Sequence, residues 1–353
     1  MLNKYILLVI IIATIVIMTL SLGGCKTKNE KLLAPNEPIL TNIYIADPSA
    51  HVFNDILYIY PSHDPNYEEY QSETHEGGQY MMDDYHVISM IDFDTPATDH
   101  GIALHLDDIP WASMQLWAPD AAYRDGKYYL YFPAKDQDGI FRIGVATSDI
   151  PEGPFIPETD YMPGTYSIDP AVFIDGETAY MLLGGLWGGQ LERWQSGSYE
   201  ANRTEPNDNE PALGPMIAPL SKDMLTIAAE LKVISILDKS GDPILAGDEE
   251  RRFFEAAWIH KYNGRYYLSY STGSTHYIVY ATSDSIEGPY TYQGKILNPV
   301  EGWTSHHSIV EYKDTWYLFY HDASLSNGVD QQRSVKYVEL EYKKDGSIIT
   351  INP

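Results

Sequence analysis

The stretch "NGRYYLSYSTG" (263–273) is a turn followed by alternating aromatic and small or aliphatic residues, the two-residue period of a strand. Four other segments repeat it: "NDILYIYPS" (54–62), "DGKYYLYFPA" (125–134), "DGETAYMLLGG" (175–185) and "KDTWYLFYHD" (313–322). Ahead of each turn lies another short apolar strand, such as "AVFI" (171–174), so each unit contains a hairpin. A later strand echoes in two units, "VATSDIPEGPF" (145–155) and "YATSDSIEGPY" (280–290). The anchor tyrosines Tyr58, Tyr129, Tyr180, Tyr267 and Tyr317 are 71, 51, 87 and 50 residues apart, room for a four-stranded sheet each, with insertions at 64–110 and 193–250. Five such sheets set radially around a channel make an all-β, five-bladed β-propeller. A β-sandwich also has short strands, but it does not repeat one hairpin at this spacing. Within the second insertion, "DMLTIAAELKVI" (223–234) reads equally as a helical turn or an edge strand.

The N-terminus has a different character. Lys4 precedes an unbroken apolar run, Tyr5 to Leu20, and then Ser21-Leu22-Gly23-Gly24-Cys25. The run is short for a membrane span, and small residues before a cysteine mark an export signal that ends in lipidation. The expected layout is a lipoprotein signal at 1–25, a flexible tether at 26–38 and one propeller domain at 39–353, held at the bacterial cell envelope through Cys25. Cys25 is the only cysteine, so the folded part has neither disulfide nor thiolate chemistry. The formal charge is −27, and −28 once the signal takes its one charged residue, Lys4, away. Such a surface repels nucleic acid and anionic lipid, and it suits a neutral or cationic partner.

One position in the repeat carries titratable groups. Counted back from the anchor tyrosines, Asp47 stands at −11, Asp120 at −9, Asp169 at −11, Glu255 at −12 and His306 at −11. The first strand of a propeller blade is innermost, so these groups converge at one end of the channel. A lone Asp before a strand is ordinarily a turn residue; matched offsets in five units argue otherwise. Asp47 and Asp169 each precede a proline, which favours an extended conformation for the residue before it. Glu255, in "FFEAAW", has apolar neighbours that raise a carboxyl pKa toward the range of a proton donor. Two acids in unlike surroundings suggest one base and one acid. The sequence contains no HExxH, Gly-rich phosphate loop, GxSxG elbow or close-spaced calcium loop.

The segments "ADPSAHVFNDILYIYPSHD", "WAPDAAYRDGKYYLYF", "YSIDPAVFIDG", "RFFEAAWIHKYNGRYYLSYS" and "SHHSIVEYKDTWYLFYHD" together resemble glycoside hydrolase family 43 from about Asn36 to the C-terminus. These are five-bladed propeller enzymes that trim arabinose and xylose from plant polysaccharides. The resemblance implies that Asp47 is the general base that activates water, Glu255 the general acid, and Asp169 the acid that orients the donor and adjusts its pKa. It implies inversion at the sugar carbon and no required cofactor. Trp117 and Trp187 match the family's pocket-wall aromatics, although either serves equally as a core residue. His306 matches a channel histidine that touches the sugar site or a water-coordinated calcium, with His307 beside it not separable. Arg333 matches an arginine directed into the pocket, a surface arginine being the alternative. Asp120, out of step with the others, reads as a turn or supporting residue.

The expected activity is therefore a β-xylosidase and/or α-L-arabinofuranosidase acting on oligosaccharides from xylan or arabinan. An endo-acting arabinanase is the near alternative. A non-catalytic sugar-binding propeller is the alternative of another class, and it gives no reason for an acid in an apolar nest.

Overall fold

The computed structural model describes residues 33–65, 77–78, 80–303 and 305–353. The export segment, Cys25 and the first part of the tether fall outside the described residues.

Blade 1 is β1 (Ile45–Phe53), β2 (Ile56–His63), β3 (Asp84–Met90) and β4 (Thr98–His105), paired antiparallel in that order. Blade 2 is β5 (Asp120–Arg124), β6 (Lys127–Lys135), β7 (Phe141–Ser148) and β8 (Ile156–Pro157). Blade 3 is β9 (Ala171–Asp175), β10 (Thr178–Leu183), β11 (Met216–Pro219) and β12 (Lys232–Val233). In blade 4 the short β13 (Ile236–Leu237) lies parallel on the outer edge of β14 (Glu255–Tyr262), β15 (Arg265–Ser271), β16 (Ile278–Ser283) and β17 (Tyr290–Leu297). Blade 5 has three strands, β18 (His307–Tyr312), β19 (Thr315–Asp322) and β20 (Ser334–Glu339). All five anchor tyrosines sit on the second strand of a blade. The first strands touch one another in sequence, and β18 returns to β1, which closes the ring.

Two expectations are corrected here and one open alternative is resolved. The span 64–110 is no insertion in the blade sense, because it carries β3 and β4. The open stretch at 223–234 ends as the edge strand β12. Residues 33–38 are not loose: the N–H groups of Asn36 and Ile39 donate to the carbonyls of Tyr337 and Val335, at 2.9 Å each, on the free edge of β20. A three-stranded sheet leaves unpaired backbone groups along its edge, and the incoming chain satisfies them.

The many tyrosines have a common use. Their rings fill the faces between blades while their hydroxyls reach polar atoms of a neighbour, which is how a buried tyrosine avoids an unpaired O–H. Tyr60 donates to the Pro151 carbonyl (2.9 Å) between blades 1 and 2, and Tyr131 to that of Met224 (2.9 Å) between blades 2 and 3. Tyr266 and Lys261 meet Asp175 between blades 4 and 3, and Tyr312 reaches the Ile91 carbonyl between blades 5 and 1. Trp258 completes the circuit, donating to the Ile309 carbonyl (3.0 Å).

Candidate active site

At the start of the inner strands the backbone leaves regular β geometry. Asp47 has φ 50° within a register shift between Ala46 and Ser49, and Asp169, just ahead of β9, has φ 56°. Glu255 opens β14, and the residue after it, Ala256, has φ 61° within a register shift that runs to Trp258. Bulges of this kind re-aim side chains beside functional sites. The extended conformation expected for the two Asp-Pro residues is thus not adopted. The surroundings hold the alternative in place: the Asp47 N–H donates to His321 Nδ1 at 3.0 Å, and the Asp169 carboxylate accepts from the Ala256 N–H at 2.8 Å. Aspartate tolerates the left-handed region better than most residues.

Asp47, Asp169, Glu255 and His306 all line one cavity of about 320 Å³, together with Trp117, Trp187, Trp303, Phe254, Tyr80 and Arg333. Asp120 is buried away from it. Its carboxylate accepts from the Ser49 hydroxyl, shares a 2.7 Å hydrogen bond with His51, and takes the Val172 N–H, so it ties the inner strands of blades 1, 2 and 3 together. His306 and His307 separate cleanly. His306 faces the cavity, its Nδ1 lying 3.8 Å from Asp47 and 3.9 Å from Asp169, whereas His307 is sealed on β18 with Nε2 bonded to Ser269 at 2.6 Å.

Arg333 is no surface residue. Its Nε and Nη2 grip Asp64 at 2.9 and 2.6 Å, its Nη1 reaches Asp47 at 3.1 Å, and the guanidinium stacks 5.0 Å over Tyr80. A two-pronged grip on one carboxylate aims the remaining prong at the other. The Ser62 hydroxyl donates to the second oxygen of Asp47. Burial on its own would raise the Asp47 pKa, but Arg333, then His321, His306 and Ser62, outweigh it and hold it at about 2. Glu255 has the opposite balance. Burial, and after it the Asp47 charge, prevail over Arg333 and push it up to about 8. Asp169 is also raised, first by burial and then by Glu255 and Asp47. With Asp47 ionised, the neighbouring pair Asp169 and Glu255 therefore keeps a proton at neutral pH.

Both expected tryptophans stand in the cavity wall. Trp117 donates from Nε1 to the Tyr80 carbonyl (2.8 Å) and packs on Phe141 at 4.8 Å. Trp187 has φ 53°, donates from its backbone N–H to Glu192 (3.0 Å) and from Nε1 to Glu205, and meets Phe254 edge-on at 4.9 Å. A Cβ on Gly188 would stand 3.1 Å from the Trp117 ring, so this glycine lets the two walls approach.

Residues the sequence reading passed over include Asp64, His321, Trp303 and Tyr80. Asp64 and His321 share a signal: "SHD" (62–64) and "YHD" (320–322) close the second strands of blades 1 and 5. A calcium ion takes about six to eight ligands, mostly oxygens. Around His306 the Asp47 carboxylate is committed to Arg333 and Ser62, and Asp120 to Ser49, His51 and the Val172 amide. Asp169 accepts from the Ala256 N–H, so among these described residues the His306 imidazole is the ligand left to an ion, which fits one coordinated chiefly by water.

An anionic carboxylate and a protonated carboxyl lining one aromatic-walled cavity form an arrangement that can give a proton to a leaving oxygen and accept one from water. Comparison with known proteins identifies the family. Residues 35–348 match the model of glycosyl hydrolases family 43. The chain is 58% identical over 326 residues to xylosidase/arabinosidase 43A of Humicola insolens, covering 90% of this chain and 99% of that one. It is 48% identical to a β-xylosidase of Xylanibacter ruminicola over 87% of this chain and 97% of that one. A β-xylosidase/α-arabinofuranosidase from a compost microbial metagenome, crystallised with xylotriose in a calcium-free form, superposes with a TM-score of 0.87 at 59% identity, covering 90% of this chain and 97% of its own. The chain belongs to glycosyl hydrolase family 43.

Proposed function

We propose that the chain is an inverting, exo-acting pentosidase of the β-xylosidase and α-L-arabinofuranosidase type, releasing single pentoses from xylan- or arabinan-derived oligosaccharides. The observation that carries this reading is the electrostatic contrast inside one cavity: Asp47 held at about 2 and Glu255 at about 8. Asp47 is ionised throughout the neutral range and accepts the proton of the attacking water. So acidified a carboxylate is a weak base in the resting state; the water becomes acidic as its oxygen bonds to the cationic sugar carbon, and the transfer is then favourable. Glu255 is protonated at neutral pH and gives its proton to the leaving oxygen, after which the pair with Asp169 is recharged from solvent. Asp169 fixes the donor's strand through the Ala256 N–H and resists a second negative charge beside it. The tryptophan walls offer apolar faces to a sugar ring and shorten the cavity, which favours a chain end over a long polymer. His306 would hold a water-coordinated calcium ion, whose positive charge would keep the imidazole neutral. Export and attachment through Cys25 would bring the enzyme to oligosaccharides at the cell envelope.

Glu255→Gln tests the donor role. It should abolish most hydrolysis of natural xylosides, whose leaving groups need a proton, a loss of roughly 10²- to 10⁴-fold. Pentosides with an acidic phenol should lose far less, since the phenolate departs unaided. An equal loss on both, with circular dichroism unchanged, refutes the assignment.

A further inference from the structure

A second cluster of ligand-type side chains lies on blade 1, and none of its members lines the cavity. His63 ends β2 and stands opposite Asp84, the first residue of β3, one step along the register from the Ser62 and Tyr85 pair. His86 is two residues further along β3, on the same face as Asp84. His63 Nδ1 and Asp84 Oδ1 are 2.6 Å apart, His86 Nε2 lies 4.0 Å from the same oxygen, and the three ligand atoms fall within 4.8 Å of one another.

We infer that His63, Asp84 and His86 form a zinc site, with Asp99 as the carboxylate that holds His86. His86 Nδ1 donates to Asp99 at 2.8 Å, and Asp99 is fixed in turn by the Gly101 N–H at 2.8 Å. That bond places the ring proton on Nδ1 and leaves the Nε2 lone pair facing the Asp84 carboxylate. The same Asp84 oxygen is hydrogen-bonded to His63 at 2.6 Å, so a cation taking the place of that shared proton would meet three ligand atoms at once. A histidine whose far nitrogen is held by a carboxylate is also the arrangement found behind metal-ligating imidazoles. Asp64 and Asp83, next in the chain to His63 and Asp84, add negative charge around the three ligands, which favours a divalent ion.

The donor set selects the metal. Two imidazoles and one carboxylate with an open position suit tetrahedral zinc, whereas calcium and magnesium prefer all-oxygen shells. Zinc bonds of about 2.0–2.2 Å in a tetrahedral shell set ligand atoms roughly 3.3 Å apart, so His63 and Asp84, now 2.6 Å apart, open slightly while His86, 4.0 Å from Asp84, draws in. His63 and His86 are both partly exposed to solvent, so a change of side-chain torsion supplies these shifts. The ion would brace β2 against β3 directly beside Asp64, the residue that grips Arg333.

The test is isothermal titration of the chelator-stripped protein with zinc chloride, with X-ray absorption at the zinc edge. The expected result is one zinc per chain in a shell of two imidazole nitrogens plus oxygen, and a melting temperature raised by about 4 °C at a hundredfold excess over Kd. His63→Ala and His86→Ala should each remove the binding and the zinc-dependent rise in melting temperature, while leaving the xylosidase rate of the zinc-free protein unchanged. Asp99→Asn, which keeps all three ligands, should weaken zinc about 10- to 100-fold. Absence of zinc binding overturns the proposal. So does unchanged stoichiometry in His86→Ala, which would place the ion among the cavity carboxylates, or wild-type affinity in Asp99→Asn.

Discussion

Asp47 and Glu255 are both carboxyl groups in one cavity, and what separates them is the company each keeps. Arg333 is shared between Asp47 and Asp64, and its third prong accounts for much of the depression of the Asp47 pKa. An acid limb of activity set by Asp47 lies near pH 2, and a basic limb set by Glu255 appears as pH rises through about 8, because the donor then loses its proton. Arg333→Lys places a single ammonium where a fork served two carboxylates, so Asp47 loses part of its counter-charge and its pKa rises. The acid limb of kcat/KM should therefore move upward by about one pH unit, while the basic limb keeps its place. A pH profile on an aryl xyloside checks this; an unmoved acid limb would show that Arg333 does not set the charge of Asp47. The acids themselves were legible because each sits at a matched offset from a repeated tyrosine. Asp64 and His321 were not, because they sit at the end of the second strand, where only two blades carry the His-Asp pair and no offset singles them out.

At the scale of elements, the inner strands carry the chemistry because their first residues are irregular. The bulges at Asp47 and Glu255 were hidden from a reading based on alternation, since a register shift leaves no mark on the two-residue period, and the Asp-Pro pairs pointed to an extended backbone that the fold overrides. The glycines nearby were legible as a cluster, "GGLWGG" (184–189), but their purpose needed coordinates. A Cβ on Gly185 would stand 2.5 Å from Cδ1 of Ile168, the neighbour of Asp169, and 3.2 Å from Cβ of Glu255. Gly185→Ala should push the donor and its partner apart. A displacement near 1 Å costs roughly 10²-fold in rate, so kcat should fall by that order with KM changed little and the fold retained. Steady-state kinetics on xylobiose measures it, and an unchanged kcat would mean that the β9 and β14 entrances yield without disturbing the carboxyls.

At the scale of the molecule, the propeller was readable from five hairpins, and its closure was not. The sequence placed a tether where residues 33–38 run along the open edge of β20, because backbone pairing to a distant edge is independent of side-chain pattern. This moves the start of the folded body to Leu33, whose carbonyl accepts from Tyr337 at 2.7 Å. Ahead of it the expected lipidation of Cys25 leaves only a few residues of spacer. In its native host, Cys25→Ala should shift the enzyme from the membrane fraction to the soluble one with catalysis intact; activity that still sediments with membranes would rule out anchoring through this sulfur.

The central claim is that one ionised and one protonated carboxyl act on opposite faces of the sugar, with water between Asp47 and the reacting carbon. Proton NMR of an aryl β-xyloside during its first turnovers reads this directly through the anomeric signal of the newly released xylose. The account predicts α-xylose first, with the β-anomer growing in only as mutarotation proceeds. β-Xylose as the first product would require a covalent sugar intermediate and a nucleophilic carboxylate, and it would contradict the account.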